Sequence, residues 1–236
     1  MKVQINLIQA GWQVNRRRAM VTKGFAMDLP VLYGVPGWGS TLVEAMLTWC
    51  KVDFQFENVA GFDVPGPARD RLLALNPLAQ VPTLVLPGGE VMTESVAIAL
   101  YLSEQLPAAG LAPAPGSSAR AQFLRRLVWL AASIYSTFLY DDYPERWATA
   151  EPAELQRRVA LHREVLWRSF EAGLVDGMWS LGERFCAVDI FVGVMTRWKP
   201  RRAWFQAECP KLYAIAGKVD QLERLKPVWS RNFPGG

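Results

Sequence analysis

The chain has 236 residues, of which 51% are apolar, 11% aromatic and 20% charged, a length that admits one large domain or two small ones. No stretch approaches the ~18 consecutive apolar residues of a membrane span, so no membrane association is expected. The formal net charge of +4 resides in residues 1–29, where Lys2, Arg16, Arg17, Arg18 and Lys23 face Asp28 alone; the remainder balances its charges, which argues against nucleic-acid binding through a basic face.

Residues 1–29 read as an N-terminal extension. Their arginines follow the apolar stretch instead of preceding it, which is not a signal peptide's layout. An Arg-rich, acid-poor start fits an organelle transit peptide, yet residues 1–26 contain no serine. Met20 and Met27 are both plausible starts, so the extension reads either as an upstream misread or as a disordered tail.

Val31-Leu32-Tyr33-Gly34 then reads as a buried strand ending at Val35-Pro36-Gly37. A helix is expected from about Ser40 to Trp49, with a broad apolar face supplied by Leu42, Val43, Ala45, Met46, Leu47 and Trp49. Phe54 to Val59 alternates as a second strand. Gly61 to Pro67 is loop, and Ala68 to Leu75 forms a short helix before the Asn76-Pro77 break. Val81-Pro82 leads into a strand from Thr83 to Leu86, Pro87-Gly88-Gly89 turns the chain, and Val91-Met92 resumes an extended run. Glu94-Ser95 open a helix that reaches Gln105. The order β-α-β-α-β-β-α predicts a thioredoxin-like domain over residues 30–106, with a four-stranded mixed sheet and helices on both faces.

Residues 107–118, rich in proline and glycine, read as a linker. Beyond them the pattern is helical throughout: Arg120–Tyr140, Pro152–Ala172, Ala187–Arg197, Trp204–Ala207 with Pro210–Gly217, and Val219–Leu225. Residues 119–236 are therefore expected to form an all-α domain. Within it Cys186-Ala187-Val188-Asp189 reads as a capping box whose usual hydroxyl is replaced by a thiol, a weaker acceptor.

Cys50, Cys186 and Cys209 are odd in number and widely spaced, with no Cys-x-x-Cys. A disulfide framework and a metal site are not expected, and a reducing cytoplasm is the default compartment. His162 is the only histidine and falls on a helix surface. That excludes a multi-histidine metal site.

The most informative segment runs from Asn76-Pro77-Leu78-Ala79-Gln80-Val81-Pro82-Thr83-Leu84 to Thr93-Glu94-Ser95. Pro82 cannot donate to a sheet ladder, so the start of its strand exposes main-chain groups. The helix that Glu94-Ser95 open offers free N–H groups, a positive dipole end and a hydroxyl, a combination that suits a carboxylate. Such a surface fits a small peptide, with its main chain against Val81 and its acid group at Ser95.

This motif resembles the glutathione-binding half of the cytosolic glutathione transferases. The likeness is close from Val31 to Leu106 and looser from Ser117 to Phe233. It implies a cis peptide before Pro82, pairing of the Val81 main chain with the cysteinyl part of glutathione, and capture of the γ-glutamyl end by Glu94 and Ser95. Gln80 stands where the family often has Lys or Gln. The turn Pro36-Gly37-Trp38-Gly39-Ser40-Thr41 matches the place where a Tyr, Ser or Cys meets the glutathione sulfur. A donor or helix dipole aimed at that sulfur lowers its pKa from about 8.5. Bacterial beta-type members have Cys at the position of Gly39, so no mixed disulfide can form here. Ser40 is the candidate thiolate donor, with the Gly39 and Ser40 main-chain N–H groups as alternatives and Trp38 as a pocket wall; Ser40 also reads as a simple helix N-cap. The Lys that some members use for the glycine carboxylate is absent. Arg69 or Arg71 would have to replace it, although a solvated helix face is the plainer role for both.

For a second substrate, Tyr135 and Phe138 share a helix face and are the candidate hydrophobic wall; such stripes are also ordinary core. The tail Trp229 to Phe233 is a further candidate cover. The resemblance implies a homodimer, glutathione as co-substrate without a metal, and a small hydrophobic electrophile. A non-catalytic binding or protein-interaction module of the same fold is the alternative.

Overall fold

The structure, a computed structural model, describes residues 29–235; the expectations for the extension lie almost wholly outside that range. The chain divides into two units that meet at Ala109–Gly110.

In the first unit β1 (Val31–Gly34) is followed by α1 (Ser40–Trp49), β2 (Gln55–Asn58), α2 (Pro67–Leu73), β3 (Thr83–Val85), β4 (Val91–Met92) and α3 (Ser95–Gln105). The sheet order is β2-β1-β3-β4. β1 runs parallel to β2, β3 is antiparallel to β1, and β4 is antiparallel to β3. Side chains of β1 alternate between the two faces. Leu32 is fully buried and Gly34 faces Ser40 of α1. Tyr33 and Val35 instead pack on a cluster of Val59, Phe62, Leu72 and Ala79 that includes α2. Helices thus cover both faces, the thioredoxin-like arrangement expected. Each fully buried Leu or Ile here, such as Leu42, Leu84 or Ile98, contributes about 1.5–3 kcal/mol.

Gly34 is required by close approach. A Cβ at this position would fall on the Cβ and Oγ of Ser40, so β1 and the first turn of α1 can touch only with glycine there.

The second unit is helical. Its elements are α4 (Arg120–Trp129), a π-helical segment (Leu130–Tyr135), α5 (Ser136–Asp142), α6 (Pro152–Ala172), α7 (Ala187–Met195), α8 (Arg202–Glu208), α9 (Pro210–Asp220) and α10 (Lys226–Asn232). No ladder strand occurs among its described residues; Trp179 and Gly182 form an isolated bridge. All nine residues of α7 are buried, as a helix apolar on every side requires. Its Gly193 admits α9 so closely that an added Cβ would lie 2.6 Å from Val219 Cγ1. The capping box opens α7 as expected. Asp189 accepts from Cys186 N–H (2.8 Å) and from Ser180 N–H (2.7 Å).

Two expectations change. The pattern from Arg120 contains a π-helical segment, which apolar periodicity does not distinguish from α-helix. The helix expected over Val219–Leu225 is instead the end of α9 and a 3-10 turn, Glu223–Leu225, and the final segment is itself helical: Trp229 is buried, and the Arg197 guanidinium lies over its ring at 5.6 Å and over that of Phe233 at 4.7 Å.

Candidate functional site at one end of the sheet

Strand directions alone gather the predicted residues of the first unit. β1 and β2 end where β3 begins, and β4, antiparallel to β3, ends there too. The β1–α1 turn, the Val81-Pro82 step and the start of α3 therefore share one end of the sheet. Continuing the β1–β3 and β3–β4 registers carries Val35 and Ser95 to the two flanks of Val81. Val35 and Val81 do pack on the same apolar cluster.

The Val81–Pro82 peptide is cis. Its approach is held by Asn76, which is 4% exposed. Asn76 Nδ2 donates to Gln80 O (3.1 Å) and Thr83 Oγ1 (3.2 Å), and its Oδ1 accepts from Leu78 N–H (3.0 Å). Thr83 Oγ1 donates to Gln80 O at 2.9 Å. The Gln80 carbonyl is thus consumed by the scaffold, while its side chain is exposed. Ala79 adopts φ 47° to make this bend. The N–H and C=O of Val81, by contrast, make no hydrogen bond among the described residues.

At the start of α3, Glu94 is exposed with φ 62° and ψ 105° and makes no capping bond. A non-glycine residue in that region costs about 1–3 kcal/mol unless its surroundings hold it, and such residues cluster at ligand clamps. The first paired N–H of the helix is that of Ile98, to Glu94 O at 3.0 Å. Those of Ser95, Val96 and Ala97, and the Ser95 hydroxyl, have no partner among the described residues. Three free N–H groups, one hydroxyl and a positive helix end converge on a place suited to an anion.

In the β1–α1 turn the N-cap of α1 is Gly39, and Ser40 is its first helical residue. Ser40 is fully buried. Val35 N–H donates to its Oγ at 3.0 Å, and the hydroxyl returns its single proton to Val35 O, also at 3.0 Å. The side chain is therefore not the helix N-cap it was expected to be: that position is Gly39, and both Ser40 bonds close the turn. The N–H groups of Gly39 and Ser40 make no hydrogen bond among the described residues. Trp38 is 40% exposed and meets the Phe62 ring edge-on at 5.6 Å. Arg69 Nη1 donates to Phe62 O at 3.2 Å, so Arg69 fastens the loop behind Trp38, whereas Arg71 is exposed on α2.

The aromatic candidates belong to the second unit. Tyr135, Phe138 and Trp198 form an edge-on trio, with centroids 5.3–6.2 Å apart. Phe138 is buried, with the Arg163 guanidinium 4.2 Å from its ring centre. That makes it a packing residue; Tyr135 is half-buried.

Sequence reasoning passed over Asn76 and Thr83 as supports and Phe62 as the partner of Trp38. Asn-Pro marks a break and opens the motif in the sequence, yet a buried Asn beside an extended Pro is also a ready donor for the next turn. All three cysteines are buried and outside any disulfide; burial pushes the Cys209 thiol up to about 12 and the Cys186 thiol well above its ordinary value. Among the described residues no group of three or more His, Cys, Asp or Glu is placed to hold a metal ion. Nor is any helix among them long and apolar enough to cross a membrane.

Comparison with known proteins gives a consistent result. Residues 40–105 match the family model described as the glutathione S-transferase N-terminal domain. The GST-like protein YncG of Escherichia coli K12 is 44% identical over 201 residues, covering 85% of this chain and 97% of its own. The glutathione S-transferase GstA of Escherichia coli O157:H7 is 30% identical over 165 residues, 69% of this chain and 72% of its own. Among solved structures, a sphingomonad glutathione S-transferase complexed with glutathione superposes with a TM-score of 0.69 at 30% identity, over 84% of this chain and 96% of that one.

Proposed function

The chain belongs to the glutathione S-transferase family, and on that premise we propose that it binds glutathione at this end of the sheet and activates its thiol for attack on a hydrophobic electrophile. The observation that carries the reading is the unpaired main chain of Val81 beside the uncapped start of α3. A peptide laid alongside Val81 satisfies both of its groups, as an added strand would. The γ-glutamyl carboxylate then meets the Ser95 hydroxyl and the α3 N–H groups, and Glu94 receives the γ-glutamyl ammonium. The relative solved with glutathione supports the same ligand.

The thiolate needs a donor. With the Ser40 hydroxyl committed to Val35, that role falls to the N–H groups of Gly39 and Ser40 at the positive end of α1. Burial makes each such bond stronger than it would be in water. Trp38 walls the pocket, and Gln80 and Pro82 set the approach to Val81. The reading includes a homodimer acting in the cytoplasm.

One observation favours a second reading, a non-catalytic glutathione-binding protein. The turn offers glycine at position 39 and a serine whose proton is already used, so no side chain among these residues is free to steady a thiolate.

Calorimetric titration of glutathione into the wild type and Ser95→Ala tests the site. Loss of a bond to a charged group costs about 1.5–3 kcal/mol, so affinity is expected to fall roughly 10- to 150-fold with unfolding unchanged. A wild type that binds no glutathione overturns the proposal. Thiolate absorption of bound glutathione, followed against pH, separates the two readings: a thiol pKa below its free value supports the enzyme, and an unshifted one supports the binding protein.

A further inference from the structure

Most buried charges of the second unit have partners; Arg126 does not. It is 3% exposed, and among the described residues no carboxylate pairs with it. One end of its guanidinium donates to Gly173 O at the C-terminal end of α6, where the helix dipole favours a cation. The Phe170 ring lies 5.4 Å away. Arg126 Nε remains buried and unpaired, and so does Trp129 Nε1.

The two orphan donors sit three residues apart on α4, hence on one face. Both residues line a cavity of about 20 Å³ together with Arg125, Ser169, Phe170 and Gly173. Arg125 reaches the same place, its guanidinium 5.8 Å from the Trp129 ring centre. The lining therefore has two guanidinium groups, an indole N–H and a hydroxyl, but no carboxylate. Burial and the neighbouring charge of Arg125 both push the Arg126 pKa down. The nearby Cys186 thiol supplies no counter-charge, because burial keeps it protonated. Such a volume holds one water-sized particle, and a bare buried cation is costly enough that an anion is the occupant with most to gain.

We propose that this cavity is a site for one small monovalent anion of chloride size, held by Arg126 Nε, Trp129 Nε1 and the charge of Arg125, and that the anion stabilises the helical unit. The inference stands apart from the glutathione site, which none of these residues joins. Because the anion binds the folded chain alone, stability tracks its concentration.

The test uses the full chain without glutathione. Crystals grown in sodium bromide are expected to show an anomalous bromine peak within hydrogen-bonding reach of Arg126 Nε and Trp129 Nε1. Thermal unfolding is measured in sodium chloride and in sodium gluconate at equal ionic strength. The wild-type midpoint should rise by about 3 °C for each tenfold increase in chloride beyond the dissociation constant, and gluconate should not reproduce the rise. Trp129→Phe keeps an aromatic ring, though a smaller one, removes the N–H and should abolish most of that dependence. A water in place of bromine, identical midpoints in the two salts, or an undiminished chloride effect in Trp129→Phe overturns the proposal.

Discussion

The sheet end of the first unit and the polar core of the second treat their polar groups in opposite ways. At the sheet end the N–H and C=O of Val81, three N–H groups of α3 and the Ser95 hydroxyl are unpaired. In the helical core the fully buried Arg163 donates to Asp141 Oδ2 at 2.8 Å and to Thr137 Oγ1 at 2.7 Å, and Asp189 is closed by two N–H groups. Groups that fold the chain find partners within it, and groups held rigid without partners mark where a ligand belongs. Ser40 is instructive because it lies in the first region yet obeys the rule of the second.

The largest effect expected comes from breaking the paired core. Arg163→Met leaves Asp141 buried with only the half-exposed Lys199, 3.4 Å away, and should cost about 3–5 kcal/mol in denaturant unfolding. Replacing both partners with apolar residues should cost much less than that single change, since no buried charge is then stranded. A single substitution as mild as a surface change would mean that the pair is not structural, and the comparison would fail at its strongest point.

A smaller effect sharpens the reading of the turn. Ser40→Ala strands the Val35 N–H, while the Val35 carbonyl keeps its bond from Trp38 N–H at 3.1 Å; it should destabilise by about 1–3 kcal/mol, while the thiol pKa of bound glutathione stays as in the wild type. Unchanged stability together with a lost pKa shift would return the thiolate role to the hydroxyl and break the rule that paired groups are scaffold.

The fold was largely legible because its signals are local. The alternation of β1, the turn at Pro87-Gly88-Gly89 and the capping box at Cys186 each specify their own segment, and strand directions then bring Val81, Ser95 and Gly39 to one end. What stayed hidden depends on distant geometry. A serine after a glycine turn gives no sign of its rotamer, so the sequence leaves Ser40 as thiolate donor or N-cap; the bare Cα of Gly34 lets it turn back to Val35. The docking of Trp229 depends on Arg197, more than thirty residues away, which no periodicity within Lys226–Asn232 reveals. Helical spacing likewise gives no sign of the Arg163 guanidinium that packs against the Phe138 ring.

The finest probe of the comparison is pH, because the two buried carboxylates of the helical unit respond in opposite directions. Burial alone would raise Asp141, but the hydrogen bond and charge of Arg163, with Lys199, outweigh it and hold the carboxyl below its ordinary value. Its contribution to stability is therefore complete above the unfolded Asp pKa, about 3.9, and is lost as pH falls through the lower folded value. Asp189 is pushed up by burial, which outweighs the N–H groups of Ser180 and Cys186. The native state thus binds that proton more tightly than the unfolded chain, and stability from this group rises as pH falls from the folded value toward 3.9. Urea midpoints measured from neutral to acid pH should show a flatter acid decline in Asp141→Asn and a steeper one in Asp189→Asn, each relative to wild type. Parallel changes in the two variants would show that direct pairing with a cation and enclosure by N–H groups are not electrostatically opposite ways of burying an acid.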